Sequence, residues 1–331
     1  MKKAVIMHNE ISLNPGIDDV DTINQVEAVK KAMNDLGYEP HTVILTDNFG
    51  KALTELSEIN PLFVFNLVEG INSNNSFSYL GASVLEMSGI PFTGNASLPI
   101  ALTTDKIFSK ELLIKNNLPT PEYFSKEKVC GNFIAAKEYI LKITNEDASI
   151  GLDENSIKKF ETLEKLRIAI DEKQLADNKQ YFAETFIDGR EINVGIISYG
   201  NGVKTLPVAE IKFNYPDEKY KIVDYKAKWI EDSFEYSNTS RSFDFSDDDK
   251  DLINKLKDLT IRCWDVFNLY GYARVDFRID KNNNPYIIEI NANPCIAPDG
   301  GFEAAMEKMG YTYTESIEKI INSCLIKFGV K

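Results

Sequence analysis

The order of apolar and polar positions predicts alternating strands and helices in the first hundred residues. Short apolar runs at 2–7 (KKAVIM), 41–46 (HTVILT) and 61–70 (PLFVFNLVEG) are typical of buried strands. Between the first two runs, apolar residues from Ile23 to Leu36 recur at helical spacing. The third run is almost continuously apolar, which is typical of a parallel sheet covered on both faces. We therefore predict an open α/β layer for this region.

Beyond residue 103 the pattern predicts a mixture of helices and strand pairs. A helix is predicted over 103–117, with Thr103 or Thr104 as its N-cap. The remaining predicted elements are strands near 121–124 and 138–143, a helix that buries Phe160, Leu163, Leu166 and Ile170, two strands within 181–200 that join at Asp188-Gly189, a strand over 203–211, a helix over about 247–270 and a helical tail from about residue 302.

The stretch RVDFRIDKNNNPYIIEINANP, which begins at Arg274, predicts a β-hairpin. Apolar and polar residues alternate on both sides of an Asn-rich turn over 281–284. We expect Asp280 to pair with Pro285 across this turn. The charged residues of the hairpin then share one face, and apolar residues form the other.

That pairing places Asp276 opposite Glu289 and Arg274 opposite Asn291. Opposed carboxylates lie only about 5 Å apart and repel, so the pair is costly unless a cation lies between them. Hard divalent ions such as Mg²⁺ take oxygen ligands of this kind. A solvent-facing hairpin with scattered charges is the alternative. An EF-hand loop from Asp280 is excluded, because its twelfth position is Asn291 instead of Glu.

Composition narrows the class of protein. The 331 residues are 43% hydrophobic and 27% charged, as in a soluble globular chain of two or three subdomains. The net charge of -14 argues against nucleic acid or an anionic membrane as the main partner. Four scattered cysteines and two histidines favour free thiols in a reducing cytoplasm over a disulfide framework or a histidine-ligated metal. The first apolar run is too short for a signal peptide, and no run approaches a membrane span.

Three lysines, Lys106, Lys142 and Lys228, stand in contexts that are otherwise not basic. Lys142 precedes the polar loop TNEDASIGLD, in which Ser149 and backbone N–H groups can bind phosphate. An ordinary polar connection is the alternative. Neither a Walker A motif nor GxGxxG occurs, so the two common nucleotide-binding motifs lack support.

A further polar segment is YFAETFIDGRE, where Glu184 and Glu191 flank an apolar core and a turn. Backbone groups of Phe186 and Ile187 can read the edge of a purine. A plain hairpin with surface acids is the alternative interpretation.

Taken together, the segments make the chain resemble the ATP-grasp superfamily and, within it, the D-alanine-D-alanine ligase family. The resemblance lies in TDKIFSK, LK followed by EDASIGLD, ETFIDGREINV, DYKAKW and GYARVDFRIDKNNNPYIIEINANP, in this order. It implies an α/β chain with an ATP-grasp fold. An open α/β domain over 1–103 precedes two α+β subdomains that clamp ATP, a lid over 104–187 and a catalytic subdomain over 188–331.

The resemblance also implies nucleotide contacts at matching residues. Lys106, Lys142 and Lys228 contact ATP phosphates, and Ser149 lies in a mobile loop that closes over them. The contacts with adenine and ribose are made by Glu184, by backbone groups of Phe186 and Ile187, and by Glu191.

For metal and catalysis, the resemblance implies that Asp276, Glu289 and Asn291 hold Mg²⁺, as two ions, with Mn²⁺ as an alternative. Arg274 supports an acyl-phosphate and a tetrahedral intermediate, assisted by Lys228 and by the loop of Ser149. Replacing one acid of the hairpin is expected to relieve repulsion, and so to maintain or raise the stability of the metal-free protein.

The chain departs from the family at the amino-acid subsites. Gly300 and Gly301 stand where a Ser-Leu pair holds the second substrate's carboxylate, and Asp299 beside them is expected to disfavour a free carboxylate. Ala148 replaces the first serine of the Ser-Ser doublet in the loop. We therefore expect an amine substrate larger or more basic than D-alanine.

The first-substrate end differs as well. Glu69 replaces a family histidine and is expected to accept a hydrogen bond from a substrate ammonium or guanidinium. The family's N-terminal glutamate falls near HNEISLN, at either His8 or Glu10. The implied function is an ATP-dependent carboxylate-amine ligase for amino acids or small peptides, expected as a homodimer. A catalytically silent ATP-binding regulator and an ATP-grasp phosphotransferase are the alternatives.

Overall fold

The computed structural model describes residues 2–12, 17–146, 149, 151–200 and 202–330. The first unit consists of β1 (Lys2–Asn9), α1 (Ile17–Asp35), β2 (Tyr38–Leu45), α2 (Phe49–Ile59), β3 (Val64–Leu67), α3 (Tyr79–Ser88), α4 (Ser97–Thr104) and α5 (Lys106–Lys115). Its parallel strands have the order β2-β1-β3. The predicted α/β layer is confirmed, and the carboxyl ends of its strands lie along one edge.

The start of α5 differs from the prediction. Asp105 is its N-cap, and its carboxylate accepts hydrogen bonds from the backbone of Ile107 and Phe108 at 2.9 and 3.0 Å. Thr103 and Thr104 instead end α4, a helix that the apolar pattern did not separate from α5. Because Asp105 ends one helix and begins the next, Lys106 occupies the first turn of α5.

The second unit is an antiparallel sheet with one long helix. Its elements are β4 (Tyr123–Phe124), β5 (Val129–Cys130), β6 (Glu138–Ile143), β7 (Ile157–Lys159), α6 (Leu163–Asp177) and β8 (Tyr181–Thr185). The strand order is β5-β4-β8-β6-β7. Leu166 and Ile170 of α6 are fully buried against this sheet, which therefore has a hydrophobic core of its own.

The third unit contains β9 (Arg190–Tyr199), β10 (Gly202–Thr205), β11 (Ala209–Phe213), α7 (Tyr225–Trp229), α8 (Phe234–Ser237), β12 (Thr239–Ser242), α9 (Lys250–Val266), β13 (Tyr272–Ile279), β14 (Pro285–Asn291), α10 (Gly301–Lys308) and α11 (Tyr313–Lys327). The antiparallel strands have the order β12-β11-β9-β13-β14, with β10 also paired to β9. The strand predicted over 203–211 is two strands, since Pro207 interrupts the pairing.

The first and third units are packed together. One core joins β1 to the hairpin of β13 and β14, and another joins α1 and β1 to α10 and α11. The second unit packs on the third through a small hydrophobic cluster in which Ile140, Ile157 and Phe186 contact Ile222. Within the described ranges, the helices lack the combined length and apolar character needed to cross a membrane.

The chain crosses from the second sheet to the third at residues 186–189. Strands β8 and β9 lie in different sheets, so the hairpin interpretation of YFAETFIDGRE is wrong. Gly189 allows the crossing. It has a φ of +155°, and a Cβ there would lie 1.9 Å from the carbonyl oxygen of Ile279.

The hairpin register is confirmed at the charged end and wrong near the turn. Asp276 lies opposite Glu289, as predicted. At the turn, however, Pro285 pairs with Ile279 instead of Asp280. A β-bulge at Ile288 accounts for the one-residue difference.

A buried amide ties the first unit to the hairpin. Asn95, only 1% exposed, donates to the carbonyls of Tyr272 and Ala292 at 2.9 and 2.6 Å. Its side-chain oxygen accepts from the backbone N–H of Tyr270 at 2.6 Å. One side chain thus satisfies three backbone groups around the start of β13 and the end of β14.

We predict that Asn95→Ala lowers the free energy of unfolding by about 3 kcal/mol or more, because each buried polar group left unpaired costs about 1–3 kcal/mol. Urea denaturation measures this difference. Asn132→Ala, at an exposed position, is the matched control and should change stability by less than about 0.5 kcal/mol. Equal stability of both variants would contradict the role assigned to Asn95.

Candidate active site

A cavity of about 630 Å³ lies where the three units meet. Its walls are the carboxyl edge of the first sheet, the ends of β6 and β8 from the second unit, and the polar face of the β13–β14 hairpin. Most of the charged residues that the sequence analysis identifies line these walls, among them Lys106, Lys142 and Lys228. The cavity is therefore the candidate active site.

The hairpin face is organised by one carboxylate. Arg274 donates to both oxygens of Asp276, from Nε and Nη2, each at 2.8 Å. The amide of Asn193 on β9 adds a bond of 2.7 Å, and that of Asn291 one of 3.2 Å. Asp276 is thus fully hydrogen-bonded by its neighbours.

The opposing acid has a partner from another unit. Glu289 forms an ion pair of 2.9 Å with Lys106, the first residue of α5. Lys106 also donates to the carbonyl of Glu146 at 2.5 Å. The expectation that the two acids remain uncompensated without a metal is therefore wrong. The protein's own cations neutralise both, because Arg274 shares the strand face and Lys106 approaches from α5.

The hairpin donors nevertheless suit a divalent ion. Asp276 and Glu289 are directly paired across the strands, and the side chain of Asn291 contacts Asp276, so two carboxylates and an amide lie together. In the described ranges no group of three or more His, Cys, Asp or Glu forms a complete metal site. Such a set fits Mg²⁺, which is usually held by one or two carboxylates and completed by water and substrate phosphates.

On the second unit, three buried charges form a bridge. Glu184 lies between Lys142 and Lys110, with ion-pair distances of 2.6 and 2.5 Å. Burial alone raises the pKa of Glu184, but the two lysines bring it below its usual value. Both carboxylate oxygens already have cationic partners, so Glu184 holds Lys142 in place at the cavity wall. Lys110 was not predicted, although it lies one helical turn after Lys106.

The crossing between the sheets is fixed by Arg278. Its guanidinium donates to the carbonyls of Ile187, Gly189 and Lys221 at 3.0, 3.2 and 2.7 Å. It also pairs with Glu191 at 3.1 Å. Burial raises the pKa of Glu191, and Arg278 opposes that shift. Arg278 was missed as a site residue, although it follows Asp276 on the same face of β13.

Phe186 and Ile187 line the cavity beside Arg278, as expected for a nucleotide-binding edge. The backbone N–H of Phe186 donates to the carbonyl of Glu138 at 3.0 Å. This N–H is therefore engaged within the protein, whereas the carbonyl of Ile187 accepts one hydrogen bond from Arg278 and has a second lone pair that a ligand can use.

The polar loop after β6 reaches across to the third unit. The hydroxyl of Ser149 donates to the carbonyl of Val223 at 2.6 Å, and the N–H of Tyr225 donates to Leu152 at 3.2 Å. Ser149 has a φ of +62° and lines the cavity. Ala148, the other doublet position, lies outside the described residues.

Lys228 of α7 also lines the cavity. Burial, and after it the charge of Arg274, lowers the pKa of Lys228 below its ordinary value. Its ammonium lies 4.7 Å from the ring centroid of Trp229. The structure therefore brings Lys106, Lys142 and Lys228 to one cavity, as the sequence predicted.

At the far end of the cavity, Glu69 follows β3 and is held by α1. Its carboxylate accepts hydrogen bonds from Gln25 at 3.1 Å and Thr22 at 3.4 Å. Gln25 also donates to Asp21 at 3.3 Å. Burial raises the pKa of Glu69 to about 7, and nearby Asp21 adds to the shift. Asp21 was not predicted, because helical phase alone does not show that α1 presents it to the cavity.

The structure distinguishes the two N-terminal candidates for substrate binding, His8 and Glu10. Glu10 lines the cavity, whereas His8 is 7% exposed within β1 and does not line it. The Nδ1 of His8 lies 2.7 Å from the carbonyl of Asn9, and burial lowers the pKa of His8. The expectation for His8 is therefore wrong, since it belongs to the packed strand.

Asp299, Gly300 and Gly301 line the cavity at the start of α10, as expected. Arg241 of β12 also lies there. A Cβ built on Gly301 would be 3.4 Å from its Nη2 atom. No local sequence pattern indicates Arg241, because its approach to the cavity depends on the position of β12 at the sheet edge.

The arrangement of the three units is the ATP-grasp fold. The crystal structure of D-alanine–D-alanine ligase from Bacillus anthracis complexed with ATP superimposes with a TM-score of 0.74, at 18% identity over 99% of both chains. The family model described as D-ala D-ala ligase C-terminus matches residues 121–322, more than half of the chain. The chain therefore belongs to the D-alanine–D-alanine ligase family, whose members are ATP-dependent carbon–nitrogen ligases.

Relatives in this family differ substantially in sequence. D-alanine–D-alanine ligase of Aquifex aeolicus is 27% identical over 332 residues, covering 97% of this chain and all of that one. An uncharacterized protein of Sinorhizobium fredii, y4sG, is 27% identical over 305 residues, covering 89% of this chain and 86% of that one.

The raised pKa of Glu69 predicts a pH-dependent stability. The folded protein binds the Glu69 proton more tightly than the unfolded chain does, since the pKa is about 7 instead of 4.5. Below pH 4.5 this contribution is complete, and it is lost as the pH rises to about 7. Glu69→Gln should therefore gain stability relative to the wild type between those values. Urea denaturation at pH 5, 6, 7 and 8 tests this, and a constant difference would contradict it.

Proposed function

We propose that the protein is an ATP-dependent carboxylate-amine ligase that joins amino acids or small peptides through an acyl phosphate. One observation carries the proposal. The charged hairpin face, the three lysines and the acidic end at Glu69 open onto the same cavity. A cavity of this kind can hold a nucleotide, a carboxylate and an amine together.

The proposed nucleotide position extends from the crossing at Phe186 and Ile187 to the lysines. Glu191 faces the ribose, and Lys106, Lys142 and Lys228 bind the phosphates. Lys106 and Lys142 are held by carboxylates in this structure, at 2.9 and 2.6 Å. Their positions are therefore set before a phosphate arrives, which lowers the cost of ordering them on binding.

Asp276, Glu289 and Asn291 are proposed to hold Mg²⁺, as two ions, with Mn²⁺ as an alternative. When bound, the metal neutralises phosphate charge. Lys106 and Arg274 neutralise the two carboxylates in its place here. Lys106 is also proposed to bind the ATP phosphates, and Arg274 is proposed to stabilise the negative charge that develops in the reaction. Each cation therefore pairs with a carboxylate before the substrates and metal bind, and with a reacting group afterwards.

In the proposed reaction, an oxygen of the first substrate's carboxylate attacks the γ-phosphorus of ATP, and ADP leaves. The amine nitrogen of the second substrate then attacks the acyl carbon. The C–O bond to phosphate breaks with its electron pair, phosphate departs, and the nitrogen loses a proton to give the amide. Arg274 and Lys228 stabilise the developing negative charge, and the loop of Ser149 excludes water.

Substrate selection is proposed to differ from that of D-alanine ligation. Glu69 accepts a hydrogen bond from a substrate ammonium or guanidinium, with Glu10 nearby on the same wall. Its partners in the structure are a hydroxyl and an amide instead of a lysine, so its charge is not neutralised by an ion pair. A cationic group of the substrate is proposed to supply the positive charge that neutralises Glu69.

The function is tested by measuring ADP release with ATP, Mg²⁺ and pairs of amino acids or dipeptides. We expect release to depend on both an acyl and an amine substrate, with formation of an amide. Release without an amine, together with a stable phosphorylated product, would indicate a phosphotransferase. Binding of ATP without turnover for any pair would indicate a silent regulator.

Asp276→Asn is the inactive control. We expect it to abolish ADP release, because it removes one metal-binding carboxylate. It should also lower thermal stability, because Arg274 loses a bidentate buried partner. This reverses the expectation from the sequence that removing an acid stabilises the metal-free protein. Substantial turnover would contradict the assignment of Asp276.

Glu69→Gln tests substrate recognition. We expect the KM of one substrate to rise roughly ten-fold or more, since a charge-assisted hydrogen bond is lost, while the KM of ATP stays the same. In the wild type this KM should fall as the pH rises through about 7, where Glu69 ionises. Glu58→Gln, at an exposed position on α2, is the matched control. Unchanged KM values for both substrates would contradict the role, as would efficient D-alanyl-D-alanine synthesis.

A further inference from the structure

The polar loop after β6 begins at a carboxylate that the proposed reaction does not use. Glu146 lies between Lys142 and Ser149 in the chain, two residues that are proposed to act on the phosphates. It lines the cavity, yet its side chain is only 10% exposed. An acid so placed either binds a ligand or holds other parts of the protein, and its contacts distinguish the two.

The two carboxylate oxygens of Glu146 are bound by different units. Oε2 accepts a hydrogen bond at 2.9 Å from Nδ2 of Asn75, in the segment after β3. Oε1 accepts one at 2.7 Å from Nζ of Lys179, just before β8. Hydrogen bonds to a carboxylate are stronger than those between neutral groups. Glu146 therefore ties the first unit to the second at the start of the polar loop.

The main chain of the same segment binds Lys106. The carbonyl of Glu146 accepts a hydrogen bond from Nζ of Lys106 at 2.5 Å, and Glu289 pairs with that ammonium at 2.9 Å. The backbone N–H of Lys106 donates to the carbonyl of Thr144 at 3.1 Å. The position of the Lys106 ammonium thus depends on where the backbone at 144–146 lies.

We propose that Glu146 is a positioning residue for Lys106. Its carboxylate fixes the backbone at 146 between Asn75 and Lys179, and its carbonyl then sets the ammonium of Lys106 where an ATP phosphate binds. The proposal rests on the phosphate role of Lys106 in the proposed function, and it adds a residue that acts without touching the nucleotide. A lysine side chain loses much rotamer freedom when it is ordered, so ordering it beforehand strengthens phosphate binding.

The donor from the first unit connects this arrangement to the first-substrate end of the cavity. Asn75 belongs to the short segment 69–75, in which Glu69, Gly70 and Ser73 also line the cavity. A Cβ at Gly70 would lie 2.9 Å from Oδ1 of Asn75, so the segment is closely packed on itself. The group that holds Glu146 is therefore placed by the same segment that carries Glu69.

Nucleotide binding tests the proposal without turnover. Isothermal titration calorimetry gives the Kd of a non-hydrolysable ATP analogue, with Mg²⁺, and the Kd of adenosine. Glu146→Ala should raise the Kd of the analogue about ten-fold or more, because Lys106 is no longer ordered, and should leave that of adenosine unchanged. Glu146→Gln keeps one acceptor oxygen and should lose less. Glu172→Ala, an exposed change on α6, is the matched control and should behave as the wild type.

A double-mutant cycle separates positioning from a general loss of structure. If Glu146 acts through Lys106, then Glu146→Ala should have little further effect on the Kd of the analogue in a Lys106→Met background, because the side chain that it positions is absent. Additive losses from the two changes would overturn the proposal. An equal loss of affinity for the analogue and for adenosine in Glu146→Ala would overturn it as well.

Two milder variants keep the proposal testable if Glu146→Ala does not fold, as judged by circular dichroism. Asn75→Ala removes one of the two donors to Glu146, and Glu146→Gln removes the charge while keeping the shape of the side chain. Each should raise the Kd of the analogue several-fold. An unchanged Kd in both variants would refute the positioning role.

The positioning role and the ligase activity fail separately. A non-additive cycle between Glu146 and Lys106, without amine-dependent ADP release by the wild type, would refute the ligase and keep the positioning role. Amine-dependent ADP release by the wild type, with the KM of ATP and kcat unchanged in Glu146→Ala, would keep the ligase and refute the role of Glu146.

Discussion

The site depends on compensation of buried charge between parts of the chain that are distant in sequence. Lys106 of α5 neutralises Glu289 of β14, and Lys110 of the same helix neutralises Glu184 of β8. A buried charge without a partner costs several kcal/mol, so these pairs favour one relative position of the helix and the two sheets. The short helix α5 thus connects the second and third units at the cavity.

Arg278 provides the corresponding constraint on the opposite side. Its single guanidinium binds three backbone carbonyls and Glu191, and so fixes both the crossing at 187–189 and the segment at Lys221. Arginine suits this position because its donors are rigid and its charge persists on burial. Together, Arg278 and α5 hold the sheets of the three units so that their polar residues line one cavity.

Much of this organisation follows from local sequence patterns. Period-two alternation is sufficient to place Asp276 and Glu289 on one face of the hairpin, although their direct opposition depends on the bulge at Ile288. Isolated lysines identify residues that meet in the cavity. Other features depend on tertiary contacts. The separation of β8 from β9 requires Gly189 to fit against Ile279, which hairpin patterns do not encode. No local pattern identifies Arg241 or Asp21 as cavity residues, because their positions there depend on which elements lie across the cavity. His8 illustrates the opposite error, in which a residue is predicted to line the site but does not. It is a polar residue next to a candidate motif, yet it is buried within β1.

The bulge at Ile288 has a consequence for how the hairpin tolerates change. Counted from the turn, the pairing of Pro285 with Ile279 would align Asp276 with Ile288 and move Glu289 to the next position. The extra residue restores the opposition of the two acids, and it places Ile288 and Glu289 together on the cavity wall while Ile287 remains in the core. An apolar residue with no chemical role therefore sets the phase of the polar ones. Insertions and deletions in this strand are constrained by parity as well as by composition.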